Sequence, residues 1–176
     1  FFSITLKLGK KKYNNQKMTS MEKVLNGIMD KIVRKKVNKR FGGSLRALVS
    51  GGAALNYEVG LYLTALGLPL LQGYGQTEAS PLISANRPNL IKIDTVGPPV
   101  DGVELCLSED GEILVRGDML MKGYWRDPAT TASVIKNGWL YTGDLGSVDE
   151  DGYITITGRK KDIIVNSGGE NIAPGR

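Results

Sequence analysis

The stretch Gly73-Tyr74-Gly75-Gln76-Thr77-Glu78-Ala79-Ser80-Pro81 decides how this chain is read. The apolar run Leu68-Pro69-Leu70-Leu71-Gln72 leads into it as a buried strand would. Gly73 and Gly75 flank Tyr74, so the backbone is free to turn tightly and a ligand can approach it closely. Thr77 and Glu78 set a hydroxyl and a carboxylate side by side at the strand exit, where open α/β sheets bind ligands. An aromatic face, exposed backbone, a hydroxyl and a carboxylate suit a nucleotide with its phosphates and metal. A glycine-rich turn before a loop would look the same locally. The stretch is not a dinucleotide fingerprint, because Glu78 stands where the third glycine belongs.

Upstream, Leu45-Arg46-Ala47-Leu48-Val49 reads as a buried strand. It enters the small-residue turn Ser50-Gly51-Gly52-Ala53-Ala54-Leu55, and a helix is expected over Asn56 to Leu66. Strand, turn, helix and strand in this order imply a parallel βαβ unit. From Ser20 to Arg40 the apolar residues Met21, Val24, Leu25, Ile28, Met29, Ile32, Val33 and Val37 recur at three- and four-residue steps. This is an amphipathic helix with Ser20 as its cap and Lys35, Lys36, Lys39 and Arg40 near its end, where they complement the dipole. Its apolar face is expected to pack on the body of the protein; contact of its basic face with a membrane surface is the alternative. Residues 1–17 read as a short apolar start and a surface connection through Lys10-Lys11-Lys12.

Beyond the loop at Asn86-Arg87-Pro88-Asn89 the texture changes to short strands and turns. Strands are expected at Val103 to Leu107, Glu112 to Arg116, Trp139 to Thr142 and Tyr153 to Thr157. A hairpin lies at Glu109-Asp110-Gly111, a helical turn after Asp127-Pro128 and a turn at Asp149 to Gly152. The pattern is that of a small antiparallel sheet or barrel.

Composition bounds the function. The chain of 176 residues is 41% hydrophobic, enough for one ordinary domain or two small ones. It has no histidine, which removes histidine-based acid/base, triad and metal chemistry from this segment. The single Cys106 excludes an internal disulfide, fits a reducing compartment and reads as a packed thiol in a strand. No signal peptide and no apolar run near ~20 residues is present, so a cytoplasmic location is expected. Residues 1–40 carry twelve Lys/Arg and two Asp/Glu, a net of +10, while residues 41–176 carry eleven and sixteen, a net of −5. A basic arm on an acidic body suits an anionic membrane surface or nucleic acid. No recognition helix, zinc spacing or aromatic RNA platform accompanies it, so nucleic acid is not an expected partner. The start at Phe1 and the end at Arg176, inside a motif, read as an excised piece of a longer polypeptide.

Three further motifs follow in order: Tyr141-Thr142-Gly143-Asp144-Leu145, Gly158-Arg159-Lys160-Lys161-Asp162, and Ser167-Gly168-Gly169-Glu170-Asn171-Ile172-Ala173-Pro174. With the opening stretch they resemble the adenylate-forming superfamily of acyl-CoA synthetases, luciferases and peptide-synthetase adenylation domains, and most resemble long-chain fatty acyl-CoA ligases. The resemblance implies an α/β fold. Residues 1–95 would be the βαβ portion of a large domain, 96–157 a small antiparallel β-barrel, and 158–176 the hinge and start of a truncated C-terminal domain. It implies ATP and Mg2+, with fatty acid and coenzyme A as further substrates. By the same resemblance Tyr74 stacks on adenine, Thr77 bonds the phosphates, Glu78 holds magnesium, and Asp144 accepts from the ribose hydroxyls. Arg159 contacts the nucleotide, Lys161 is the hinge, and Gly168 and Gly169 line the coenzyme A tunnel. Gly52, Ala53 and Ala54 lie against adenine and the acyl group, Gln76 belongs to the nucleotide site, and Gly75 leaves an acyl pocket open.

Two parts of that family are not seen: the Gly/Ser/Thr-rich phosphate loop, and the C-terminal domain with its catalytic lysine. The isolated chain is therefore expected to be inactive. An aryl-CoA ligase, a peptide-synthetase adenylation domain and a non-catalytic nucleotide-binding or scaffold protein stay open as alternatives.

Overall fold

The computed structural model describes residues 1–162, 164–165 and 171–172. The chain divides into two compact units, Phe1–Gln72 with Arg87–Asp94, and Gly73–Asn86 with Thr95–Arg176.

The first unit begins with a helix, α1 (Phe2–Tyr13), where the sequence predicts a surface connection. Ile4, Leu6 and Leu8 alternate with polar residues, and this period of two hides the helical face. That face buries Thr5, Leu8 and Gly9. Gly9 lies against α4 (Tyr57–Ala65) so closely that a Cβ on it would stand 2.5 Å from the Ala65 carbonyl oxygen. Lys10 pairs with Glu58 at 2.9 Å, and Tyr13 Oη accepts the Ile93 N–H at 2.9 Å.

The expected helix over Ser20 to Arg40 is present in three phases: α2 (Ser20–Met29), a π turn (Asp30–Arg34) and α3 (Lys35–Arg40). Its cap is Thr19 rather than Ser20. Thr19 Oγ1 accepts the Glu22 N–H at 3.2 Å and Glu22 Oε2 accepts the Thr19 N–H at 2.9 Å, a reciprocal capping box. Only one flank of the apolar face is packed: Met29 is buried, whereas Met21 is 74% exposed, Val24 65%, and Ile28 and Ile32 are exposed as well. The π turn sends Arg34 inward. Its guanidinium donates to the Ala65 carbonyl at 2.8 Å, Asn26 Oδ1 at 2.9 Å and the Thr5 carbonyl at 3.1 Å, and it pairs with Asp30 at 2.6 Å.

β1 (Leu48–Ser50) is shorter than the run Leu45 to Val49 predicts, and Val49 is 77% exposed rather than buried. It pairs in parallel with the first half of β2 (Leu70–Gly75), in the register Leu48↔Leu70 and Ser50↔Gln72. α4 is the crossover, capped by Asn56, whose side chain accepts the Val59 N–H at 3.2 Å. This is the expected βαβ unit. Leu61, Ala65, Leu66, Leu68 and Leu70 are buried with it.

The second unit takes the other half of β2. The backbone does not turn at Gly73 to Gly75, as the flanking glycines suggested. It stays extended through Gly75 and pairs antiparallel with β3 (Leu82–Ala85). The reversal comes one step later, in a 3-10 turn at Thr77–Ala79 and at Ser80, whose φ of 53° is left-handed. Thereafter β4 (Glu104–Leu107), β5 (Glu112–Arg116), α5 (Pro128–Val134), β6 (Ile135–Lys136), β7 (Trp139–Val148) and β8 (Ile154–Arg159) follow. These strands form one antiparallel sheet in the order β4-β5-β7, with β6 and β8 both paired to β7. Among the described strands no pair joins β4 to β6 or β8. A last backbone pair links β9 (Ile164–Val165) with β10 (Asn171–Ile172). Ala79, Ile83, Ile113, Val115, Leu140 and Ile154 make the core, so the turn bearing Thr77 and Glu78 is seated on the sheet through Ala79. Cys106 is exposed, not packed, because β4 is an edge strand of which only Leu105 is shielded.

Two glycines test the helical packing. Gly27 in α2 has nothing within 4 Å of a built Cβ, so Gly27→Ala should stabilise the chain by about 0.5–1 kcal/mol. Gly9→Ala must push α1 from α4 and should destabilise it by about 1–3 kcal/mol. Denaturant unfolding reads both; a Gly9→Ala chain as stable as the wild type would refute the α1–α4 contact.

Candidate functional site

Four of the residues singled out from the sequence converge in the second unit, in two groups. Tyr74, near the end of β2, donates its hydroxyl to Asp144 Oδ2 at 2.7 Å. Asp144 sits in β7 directly opposite Arg159 in β8, and Arg159 Nε lies 3.2 Å from Asp144 Oδ1. Asp144 is 8% exposed, whereas the Arg159 side chain is 73% exposed. Each carboxylate oxygen thus has one partner, and a carboxylate has acceptor capacity for more. Burial, reinforced by the neighbouring Asp144, pushes the Tyr74 phenol well above its ordinary range, so it stays a protonated donor.

The turn before Asp144 is built by its own motif. Thr142 Oγ1 donates to the Ile113 carbonyl at 2.7 Å and accepts the Asp144 N–H at 3.1 Å. Gly143 has φ of 74°, the left-handed region where glycine is unstrained. Its N–H donates to Glu112 Oε1 at 2.9 Å. Glu112, in β5, is buried, and its other oxygen accepts from Lys160 Nζ at 2.9 Å. Lys160 also pairs with Asp110 at 2.6 Å. Those two carboxylates, Asp110 first, raise the Lys160 ammonium above its ordinary value.

Glu78 forms the second group. Its Oε1 accepts the Tyr124 hydroxyl at 2.9 Å, and its backbone carbonyl accepts the Met121 N–H at 2.8 Å. That hydrogen bond to Glu78 is the main reason the Tyr124 phenol is raised. Tyr124 fixes one of the two carboxylate oxygens. Among the described residues no group of three His, Cys, Asp or Glu could cage a metal alone. A single oriented carboxylate fits a magnesium ion held mainly by substrate phosphates and water.

The remaining expected residues are placed as follows. Thr77 is exposed beside Glu78, and Gln76 Nε2 is 3.5 Å from the Thr142 carbonyl, at the outer limit of a hydrogen bond. Gly75 is exposed, but a Cβ there would lie 1.7 Å from the Pro81 carbonyl oxygen, so strand packing requires glycine by itself. Gly52, Ala53 and Ala54 follow β1 in the first unit and are exposed. Lys161 is exposed in the 3-10 turn Lys160–Asp162 that follows β8. Gly168 and Gly169 lie outside the described residues. Sequence reasoning missed Glu112, Lys160 and Tyr124. Glu112 opens a short apolar strand and reads there as a surface carboxylate, and Lys160 reads as part of a solvated basic run.

Residues 9–125 match the AMP-binding enzyme family, and the chain belongs to that family. A long-chain-fatty-acid–CoA ligase of Mycobacterium bovis is 47% identical over 149 residues, covering 85% of this chain and 25% of that protein. A 2-succinylbenzoate–CoA ligase of Geobacillus kaustophilus is 34% identical over 86% of this chain and 33% of its own length. The O-succinylbenzoate coenzyme A synthetase of Bacillus subtilis, solved with ATP and magnesium ion, aligns with a TM-score of 0.67 at 32% identity, over 73% of this chain and 29% of that one. The chain thus spans about a quarter of the length of the fatty-acid ligase it matches.

The ion pairs around Lys160 make a prediction about pH. The Lys160 ammonium, then the Ser108 hydroxyl, lower the Asp110 carboxyl from its ordinary 3.8 to about 2. A carboxylate depressed in the folded state adds stability above its unfolded pKa and loses it as pH falls through the folded one. The Asp110 contribution should therefore be complete above about pH 4 and vanish towards pH 2. NMR titration should place the Asp110 midpoint near 2, and Lys160→Met should return it towards 3.8. An unchanged midpoint in the variant would remove the pairing.

Proposed function

We propose that this chain is the nucleotide-holding part of an ATP-dependent long-chain fatty acid–CoA ligase. The reaction joins a fatty acid carboxylate to the α-phosphate of ATP with loss of pyrophosphate, then transfers the acyl group to the coenzyme A thiol with loss of AMP. The observation that carries this reading is the Tyr74–Asp144–Arg159 group in one unit with Glu78, in a chain 47% identical to a fatty-acid ligase. Adenylation asks little covalent work of a protein and much positioning and charge neutralisation.

In this reading the Tyr74 ring stacks on adenine while its hydroxyl stays on Asp144. Asp144 accepts from the ribose hydroxyls, and Arg159, already beside it, reaches the nucleotide. Thr77 donates to the phosphates, with Gln76 beside it. Glu78 would hold the magnesium ion, which supplies neutralisation of phosphate charge. Gly52, Ala53 and Ala54 border adenine and the acyl group, Lys161 is the pivot between the half-reactions, and Gly168 and Gly169 line the coenzyme A path. Residues 96–157 are the β-barrel of the large domain, and residues from 158 onward begin the swivelling domain.

Pyrophosphate release by the full-length protein over a panel of fatty and aryl acids tests the reading. Long-chain acids should win; a preference for aryl acids would favour the succinylbenzoate-type alternative, and none with any acid would sink the ligase. Glu78→Gln keeps the shape but loses the charge, and should slow adenylation about 10²–10³-fold. Gly75 is proposed to border the acyl chain. Ala at 75 carries the backbone clash alone and Trp adds an indole, so the long-to-short ratio of kcat/KM should fall from Ala to Trp. Excluding four methylenes at roughly 0.8 kcal/mol each predicts about two orders of magnitude. Equal ratios would leave Gly75 its strand-packing role only.

The protein is proposed to be cytoplasmic and peripheral at a membrane. Among the described residues no helix is long and apolar enough to cross one. Met21, Val24 and Ile28 on α2 and Ile32 in the π turn are exposed, together with Lys31, Lys35, Lys36 and Lys39, the composition of an interfacial helix. Co-sedimentation with anionic but not neutral vesicles, lost in Val24→Asp, is the expected result; binding that ignores lipid charge and this substitution would end the proposal.

A further inference from the structure

We propose that Glu112 is a positioning residue for the nucleotide, holding Asp144 and Arg159 in place through Gly143 and Lys160. This inference rests on the reading of Asp144 and Arg159 as nucleotide contacts. The two residues stand fifteen positions apart in different motifs, and each is the immediate neighbour of a group bound to the same carboxylate. Gly143 N–H donates to Glu112 Oε1 at 2.9 Å, and Lys160 Nζ donates to Glu112 Oε2 at 2.9 Å. Asp144 and Arg159 are register partners across β7 and β8, with their ion pair at 3.2 Å. The sheet alone would not set that geometry. The β5–β7 register shifts between Glu112 and Leu114, and β7–β8 shifts between Leu145 and Gly146, so irregular backbone lies on both sides of Asp144.

The chemistry suits a clamp. Glu112 is 4% exposed, and a buried carboxylate is stable only when its oxygens are paired and hydrogen-bonded. One oxygen takes a backbone N–H and the other an ammonium, both charge-assisted bonds, which are the stronger kind. Lys160 is tied a second time by Asp110, so losing one acid leaves it a partner while losing Glu112 frees the Gly143 turn as well. Glu112 touches neither Tyr74 nor any proposed substrate atom; it acts through the two neighbours. Lys160 also directly precedes Lys161, so the same clamp holds the chain just before the proposed pivot.

The test uses the full-length protein, with AMP and ATP affinity by calorimetry and the KM of ATP, fatty acid and coenzyme A by turnover. Glu112→Gln keeps an acceptor for Gly143 but drops the charge that holds Lys160. It should weaken AMP at least tenfold and raise the KM of ATP, with the KM of fatty acid unchanged. Lys160→Met should weaken AMP by a smaller factor and lower the melting temperature, because it leaves Glu112 Oε2 and Asp110 without their cation, and Lys160→Arg should restore both. Wild-type AMP affinity in a folded Glu112→Gln protein overturns the inference, as does an equal rise in the KM of all three substrates. Should Glu112→Gln fail to fold, Lys160→Met, altered at a half-exposed side chain, decides alone: native AMP affinity there overturns it. A wild-type protein that binds no nucleotide overturns the underlying reading and this inference together, a result distinct from the others.

Discussion

Two buried carboxylates constrain everything near the candidate site. Asp144 and Glu112 are both under 10% exposed, and a charge removed from water costs several kcal/mol unless the protein replaces the lost hydration. Here it does so oxygen by oxygen. Asp144 has the Tyr74 hydroxyl and the Arg159 guanidinium; Glu112 has the Gly143 amide and the Lys160 ammonium. The four donors arrive from β2, β8, the turn inside β7 and the turn after β8. Satisfying two acids therefore fixes how these segments meet. A site built this way has its hydrogen-bonding groups oriented before any ligand enters, which is the arrangement that lets electrostatic catalysis avoid reorganisation.

The first unit solves the opposite problem with a single cation. Arg34 is sequestered among α1, α2 and α4, and five donors in a planar fork suit it to several carbonyl groups at once. It caps the open Ala65 carbonyl near the end of α4 and reaches Thr5 in α1. Lysine could not replace it, since one ammonium cannot span acceptors on three helices.

What the sequence discloses follows from how local each signal is. The βαβ unit was legible because α4 carries its cap at Asn56 and its strands are apolar runs on either side. Tyr74, Glu78, Asp144 and Arg159 can be singled out because each stands in a motif of distinct chemistry, and the fold brings them into one unit. α1 was not, since Ile4, Leu6 and Leu8 alternate as a strand would and only contact with α4 selects the helix. Reading Ser20 as the cap overlooks the capping box that Thr19-Ser20-Met21-Glu22 spells out. Glu112 and Tyr124 were hidden for a deeper reason: their partners lie 31 to 48 residues away, and no local pattern announces such a bond. The reach of Val49 and Cys106 to solvent likewise depends on which strand edges are covered, a property of the assembled sheet.

The π turn at Asp30–Arg34 acts as a phase shifter in an otherwise continuous helix. One residue advances a helix by about 100°, so the additional residue in that turn rotates everything after it relative to everything before. α2 and α3 can then answer to different surroundings: Asn26 and Met29 face the interior, while Lys35, Lys36 and Lys39 face water. A regular ladder through the same residues would aim the Arg34 guanidinium elsewhere, leaving the Ala65 carbonyl without that donor and the Thr5 carbonyl without its second one. In this chain the helix reads in two frames, and the irregular turn is the point at which the frame changes.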